Sequence, residues 1–285
     1  AKQLPQFKKV ISLEHEATGK LVNKHKIDII ISDNRYGCYQ ANTKSFLITH
    51  QLNIQVPGVL WWTSVMLQKK LNSYINHFNE CWVPDLENEN ESLSGNLSHP
   101  SKISVPVKYI GWLSRFSEPQ SAGTNFNHDI LAIISGPEPQ KTILKELIIK
   151  QAIHLSKKTL IISGDPELDK TEESDNVKII SHLPTNQFAE AIKTAQLVIS
   201  RPGYSTLMDL SCFGKKVLFT PTPGQTEQEY LARRMAGPNN IACVTKQNEL
   251  SIVEALNNIN KYDGIPKKGQ HSTFKQHIDN LLKAE

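Results

Sequence analysis

Asp33 and His50 are the acid–base candidates in the first part of this chain. Asp33 follows the apolar run Ile27-Asp28-Ile29-Ile30-Ile31-Ser32, and His50 closes the run 45–50 (SFLITH). A carboxylate or imidazole at such a place can take a proton from an attacking hydroxyl; either can equally be a polar residue that ends a strand. Arg35 and Tyr36 follow Asp33 and would offer a cation and a phenol to an acceptor. Four later loops carry groups suited to an anion or a sugar. The first is Ser135-Gly136-Pro137-Glu138-Pro139-Gln140-Lys141-Thr142. It faintly resembles a Walker loop, but Gln140 stands where the glycine before Lys-Thr is required, which argues against a P-loop NTPase. The second is Ser181-His182-Leu183-Pro184, whose backbone around Leu183 could meet the edge of a base. The third is Arg201-Pro202-Gly203-Tyr204-Ser205-Thr206, with Asp209 one turn further on. Gly203 permits close backbone approach, and Ser205 and Thr206 offer hydroxyls at a helix start, where the dipole favours an anion. Arg201 suits a phosphate or a surface ion pair; Asp209 suits the two hydroxyls of a ribose or is a plain first-turn acid. In the fourth loop Glu227 and Gln228 follow Pro221-Thr222-Pro223-Gly224-Gln225-Thr226, placed to bind sugar hydroxyls or to cap the helix.

These residues need elements to hold them. Hydrophobic spacing predicts helices over 10–25 and 61–79 and strands over 27–32, 45–50, 80–84 and 107–110. Residues 85–100 are acidic, small and polar, and 117–128 (SEPQSAGTNFNH) form the clearest linker. Beyond it, strands at 130–134, 159–163, 177–181, 196–200, 216–220 and 241–244 alternate with helices at 140–156, 185–194, 205–213, 228–236 and 249–261. Short, uniformly apolar strands alternating with helices indicate a parallel sheet covered on both faces. A last helix is expected from about 272 to 283. The domain reading is therefore 1–116, a linker over 117–128, a second domain over 129–262, and a tail helix within 263–285.

Composition narrows the function classes. The 285 residues favour two domains, and 39% apolar residues exclude wholesale disorder. No apolar run reaches the ~20 residues needed to cross a bilayer. Thirty-two basic against 28 acidic residues give +4, scattered along the chain, which points away from nucleic acid. Cys38, Cys81, Cys212 and Cys243 show no CxxC spacing and read as reduced thiols of a cytoplasmic chain. No DxD motif is present to hold a metal, since Asp165 and Asp169 are too far apart to imitate one.

The loop signals fall in one order. The run ISRPGYSTLMDLSCFGKKVLFTPTPGQTEQEYLARRM resembles the donor signature of GT-B nucleotide-sugar glycosyltransferases. The resemblance is to the branch of the MurG-like peptidoglycan N-acetylglucosaminyltransferases and the diacylglycerol galactosyltransferases. Arg201, Gly203, Ser205, Thr206, Gly214 and Lys215 match the pattern; Asp209 replaces its ribose-binding Glu, and Glu227 and Gln228 fall on its paired Gln positions. Leu231 stands where the pattern has Asn, with Ala232 retained. Ser135-Gly136 lies where the family has its Gly-rich diphosphate loop, stiffened here by Pro137 and Pro139. The resemblance covers roughly 130–262 well and 1–116 only in general arrangement.

It implies an α/β fold of GT-B type, two Rossmann-like domains with parallel sheets facing across a cleft, the first incomplete. It implies transfer of a hexose or N-acetylhexosamine from a UDP-sugar to a hydroxyl acceptor, inverting and metal-independent, with no cofactor beyond the donor. Donor-binding groups would be Ser135, Gly136, Gln140, Leu183, Arg201, Gly203, Ser205, Thr206, Asp209, Glu227 and Gln228. Asp33 or His50 would serve as base, and Arg35 and Tyr36 would meet the acceptor. That acceptor is lipid-linked or a diacylglycerol by analogy. Trp61, Trp62, Val65 and Met66 beside Lys69 and Lys70 suggest either core packing or peripheral contact with the cytoplasmic face of a membrane. Related families open with a strand and Gly-rich loop that are not found before Ile27. The expectation is a fragment or natural short form, whose exposed edge a second copy could cover. An inactive nucleotide-binding or assembly module and a UDP-sugar hydrolase are the alternatives.

Overall fold

The computed structural model describes residues 4–56, 62–99, 103–116, 126–165, 167, 170–237, 240–266 and 273–283. Trp61 and most of the expected linker, 117–125, lie outside them. The chain divides into two compact units, 1–112 with 271–285, and 113–270.

The first unit is built on a parallel sheet in the order β1 (Ile29–Asp33), β2 (Lys44–Ile48), β3 (Glu80–Val83), β4 (Val107–Tyr109). Its interior gathers Leu47, Leu52, Leu71, Ile75, Phe78, Cys81 and Val83. Helix α1 (Leu4–His25) precedes the sheet and α2 (Ser64–Ile75) links β2 to β3. α1 reaches the turn after β1 through Glu14, which accepts from Arg35 Nη1 at 2.9 Å and the Gly37 amide at 3.3 Å. A Cβ on Gly37 would lie 2.3 Å from the Ile11 carbonyl oxygen, so only glycine fits under this helix. Helix α2 turns Leu71 and Ile75 inward. Trp62, just before it, and its own Val65 and Met66 are 66%, 63% and 63% exposed, so these three lie outside the core.

The second unit holds a seven-stranded sheet from β5 (Ile130–Ile133), β6 (Thr159–Ile162), β7 (Thr171–Glu173), β8 (Val177–Ile180), β9 (Leu197–Ser200), β10 (Val217–Phe219) and β11 (Cys243–Val244). The order is β11-β10-β9-β5-β6-β8-β7, parallel except for β7. Helices α3 (Gln140–Ala152), α4 (Thr185–Thr194), α5 (Tyr204–Ser211) and α6 (Thr226–Met235) connect strands, and α7 (Ile252–Asn257) follows β11. Strands β5, β6 and β9 are almost wholly buried, as strands covered on both faces must be. After β5 the chain winds outward through β6 and β8, then returns to β5's other side with β9. The order therefore reverses between β5 and β9, where open α/β sheets bind ligands beyond the strand carboxyl ends.

Two boundaries differ from the sequence reading. Residues 113–116 belong to the second unit because Ser114 and Arg115 bond Asp209 and Phe116 packs on Phe188 and Phe213. The tail helix α8 (Phe274–Lys283) is no appendage. It returns to the first unit, where the Thr273 amide donates to Ile110 and Phe274 and His277 meet the Trp82 ring edge-on.

Candidate functional site

The reversal between β5 and β9 sets the site of the second unit. Ile133 pairs with Ser200 of β9, and Ser200 pairs with Phe219 of β10. The loops leaving these three strands, at 134–139, 201–203 and 220–225, therefore start at one level.

Arg201 ties them together. It is 1% exposed, a guanidinium buried as deeply as a core leucine. Nη1 donates to the carbonyls of Thr220 at 2.8 Å and Pro221 at 3.0 Å. Nη2 donates to the Gln140 carbonyl at 3.0 Å and to Gln247 Oε1 at 2.5 Å. Gln247 in turn donates from Nε2 to the Gln140 side-chain oxygen at 2.9 Å. The fifth donor, Nε, is buried with no protein partner, as are the hydroxyls of Thr220 and Thr222. Burial lowers the Arg201 pKa to about 10, which leaves it protonated at neutral pH. Gly136, at φ +106°, lies over this pocket: a Cβ there would sit 3.5 Å from Thr222 Oγ1 and 4.0 Å from Arg201 Nε. The sequence offered Arg201 as a phosphate ligand or a surface ion pair. Instead, carbonyls occupy four of its N–H groups, and it fixes the loops from below.

Helix α5 starts at this level. Gly203 is its N-cap, no side chain caps the first turn, Ser205 is exposed and Thr206 is half-buried. The first amides of a helix lack intrahelical acceptors and attract anions. Asp209 accepts from Ser114 Oγ at 2.7 Å and Arg115 Nε at 3.0 Å. Burial raises its pKa, opposed by those two partners. Arg115, half of whose side chain is exposed, lies over the Phe116 and Phe188 rings. Ser135 and Gly136 are exposed, and Leu183 is half-buried in the turn between β8 and α4. Gln228 Oε1 accepts from the Thr222 amide at 2.8 Å, so its side chain fastens the loop before α6; Glu227 lies beside it in the first turn. A cavity of about 580 Å³ opens past that loop, lined by Pro223, Glu229, Ala232, Arg233, Thr245 and Gln247 among others.

In the first unit, Asp33 ends β1 opposite Ile48, and His50 lies two residues beyond Ile48. Both are thus at the carboxyl ends of adjacent strands. The Asn34 amide donates to the Ile48 carbonyl and Thr49 Oγ1 to Asn34 Oδ1, which fastens the two turns. Asp33 is exposed and His50 half-buried. Tyr36 is 8% exposed and packs against Phe7 and Tyr74; Arg35 is ion-paired with Glu14. The structure thus gives these two acceptor candidates packing and tethering contacts. Sequence reasoning missed Ser114, Arg115, Thr222 and Gln247. None sits in a spacing pattern, although a glutamine just after a short strand, 6% exposed, becomes conspicuous once burial is known. Among the described residues no group of three His, Cys, Asp or Glu is placed to hold a metal ion. No helix among them is long and apolar enough to cross a membrane.

Residues 133–281, just over half of the chain, match the model of the glycosyltransferase family 28 C-terminal domain. Over 181 residues the chain is 28% identical to the UDP-N-acetylglucosamine--N-acetylmuramyl-(pentapeptide) pyrophosphoryl-undecaprenol N-acetylglucosamine transferase of Buchnera aphidicola subsp. Schizaphis graminum, covering 60% of this chain and 50% of that protein. The chain spans between half and two thirds of the length of the curated relatives it matches. The crystal structure of Acinetobacter baumannii MurG superposes with a TM-score of 0.56 at 13% identity, over 96% of this chain and 78% of that one. S. aureus MnaA, in its UDP co-structure, superposes with a TM-score of 0.62 at 11% identity, over 97% and 80%. These likenesses show a fold of GT-B type.

Proposed function

Because the chain belongs to the glycosyltransferase family 28 C-terminal domain family, we propose that it binds a nucleotide-sugar and serves transfer of the sugar to a hydroxyl acceptor. The observation that carries this reading is the β5/β9 reversal. It sets the loops that carry Ser135-Gly136 and Arg201-Gly203 at adjacent strand ends, with Gly136 over the buried Arg201. Amides of the Gly136 loop and the α5 start, with the Ser205 and Thr206 hydroxyls, would hold the diphosphate. Asp209 would accept the ribose hydroxyls, the backbone near Leu183 would meet the base, and Glu227 and Gln228 would meet the sugar. The cavity beside α6 is of ligand size. UDP is the nucleotide this reading names, with a hexose or N-acetylhexosamine as its sugar.

In the inverting, metal-independent reaction, the acceptor oxygen forms a bond to the anomeric carbon as the bond to the diphosphate oxygen breaks. The hydroxyl proton passes to a base, and oriented donors hold the charge left on the diphosphate. Asp33 and His50, on adjacent strand ends, are the base candidates. A lipid-linked acceptor fits the undecaprenol substrate for which the Buchnera relative is named, and peripheral contact through Trp62, Val65 and Met66 fits their exposure.

The test is calorimetry and thermal unfolding with UDP, other nucleoside diphosphates and uridine. Micromolar UDP binding with a melting point raised by several degrees supports the reading; no response to any nucleotide rejects it. Release of sugar from a UDP-sugar without acceptor would assign a hydrolase. A binding module without turnover is the second reading, favoured by the engagement of Arg35 and Tyr36 within the first unit. It predicts UDP binding with neither transfer nor hydrolysis.

A further inference from the structure

The environment of Arg201 is unusual in what neutralises it. Its partners are three backbone carbonyls and one side-chain amide, and it has no ion pair with any described carboxylate. Arg115 and Lys141 of the same unit have acid partners in Asp209 and Asp165, and Lys215 and Lys216, which donate to backbone carbonyls, are only half-buried where Arg201 is 1% exposed. A buried charge held only by dipoles is costly, and a carboxylate in hydrogen-bond reach is the usual remedy. Position 247 is where that remedy would fit. Gln247 is 6% exposed with Oε1 2.5 Å from Arg201 Nη2, and a glutamate there would be nearly isosteric. The chain carries the neutral amide instead. Its other end holds the Gln140 side chain at the mouth of the Gly136 loop. The unspent Arg201 Nε and the Thr222 hydroxyl lie on the Gly136 side of the pocket, 4.0 and 3.5 Å from where a Cβ would stand.

We propose that Gln247 is a positioning residue that keeps the Arg201 cation uncompensated beneath Gly136, so that its field supports the diphosphate of a bound nucleotide from below. This rests on reading the β5/β9 reversal as a diphosphate site. Arg201 acts here without touching the ligand, through low-dielectric protein rather than water, where a unit charge is weakly screened. Gln247 serves twice: it orients the guanidinium, and it withholds the negative charge that would cancel it. Stability and binding should therefore respond to this position with opposite ranking.

The experiment compares wild type, Gln247→Glu and Gln247→Met by thermal unfolding and by calorimetry with UDP, inorganic pyrophosphate and uridine. Q247E keeps an acceptor for Arg201 and gains an ion pair, so it is expected to melt above Q247M. It is nevertheless expected to bind UDP and pyrophosphate at least tenfold more weakly than wild type, and more weakly than Q247M, with uridine binding unchanged. Three results overturn the proposal: Q247E binding UDP within twofold of wild type, Q247E melting below Q247M, or a parallel loss for uridine, which would mark a general distortion. Wild type binding neither UDP nor pyrophosphate would remove the diphosphate reading together with this one, and that arm is read before any variant.

Discussion

Each unit of this protein orders its strand-end loops with a buried charge, and the two charges are opposite. After β3 of the first unit, Asp85 is 0% exposed. Its carboxylate accepts from the amides of Leu86, Leu93 and Ser94, from Trp112 Nε1 and from the hydroxyls of Ser94 and Ser98. After β9 of the second unit, Arg201 donates to carbonyls. The anion is saturated by donors drawn from its own loop and its closing residue. The cation keeps one donor unspent, with two buried hydroxyls that also lack protein partners. A fully satisfied buried charge serves structure alone; one left with open valences beneath an exposed glycine loop can serve a ligand as well.

The contrast can be broken by substitution. The largest effect is expected from Asp85→Ala, which strands several buried donors at once at ~1–3 kcal/mol for each one left unmade. A loss of about 4 kcal/mol in urea unfolding, with hydrogen exchange rising across 86–99, is the expected outcome. Arg201→Met should cost less, about 2 kcal/mol, because under-satisfied carbonyls are better tolerated and the buried charge is relieved. It should nonetheless abolish measurable UDP binding while Asp85→Ala leaves binding intact. Equal stability losses, or equal binding losses, would erase the distinction between the two charges.

Gly37→Ala probes the first unit by another route. The added methyl meets the Ile11 carbonyl, so α1 must shift, at about 1–3 kcal/mol of overpacking. UDP affinity should stay at the wild-type value if the two units respond separately. The smallest effect is one of pH. Burial lowers the His128 pKa, against the Ala191 carbonyl to which Nε2 donates. The folded chain therefore favours neutral His128, and the unfolded chain takes up a proton first as pH falls through about 6.5. Stability from this group is full above that value and lost below it. His128→Gln should flatten the acid limb of a plot of melting point against pH, at a cost under about 1 kcal/mol for one hydrogen bond.

Much of this was legible in the sequence. Helix α4 occupies 185–194 as the periodicity indicated, and the apolar runs of the second unit became strands within one or two residues at each end. Strand β7 escaped because Thr171-Glu172-Glu173 is exposed and acidic, paired only at the sheet's edge with β8. No hydrophobic pattern marks such a strand. Among the candidate site residues, Gly136, Gly203, Ser205, Thr206 and Asp209 stood out because glycine, hydroxyl and acid at a strand–helix junction have local meanings. Arg201 stood out for the same reason, but its local meaning misled: a basic residue at such a junction reads as solvent-facing, and only the neighbouring strand end turns it into a clamp. Gln247 lies 46 residues from Arg201 and 107 from Gln140, so no local pattern could connect them.

By itself, then, the sequence determined the apolar strands and most helices, a division into two units, the family resemblance and the short list of polar loop residues. These depend on periodicity and on junction chemistry within a few residues. The tertiary structure alone decided which of those residues stay open and which are consumed. Sheet order placed the ends of β5, β9 and β10 side by side, and that proximity set a buried guanidinium among carbonyls from distant segments. The return of α8 to the first unit and the attachment of residues 113–116 to the second were decided in the same way. Each rests on contacts between distant parts of the chain, and such contacts leave no period in the sequence.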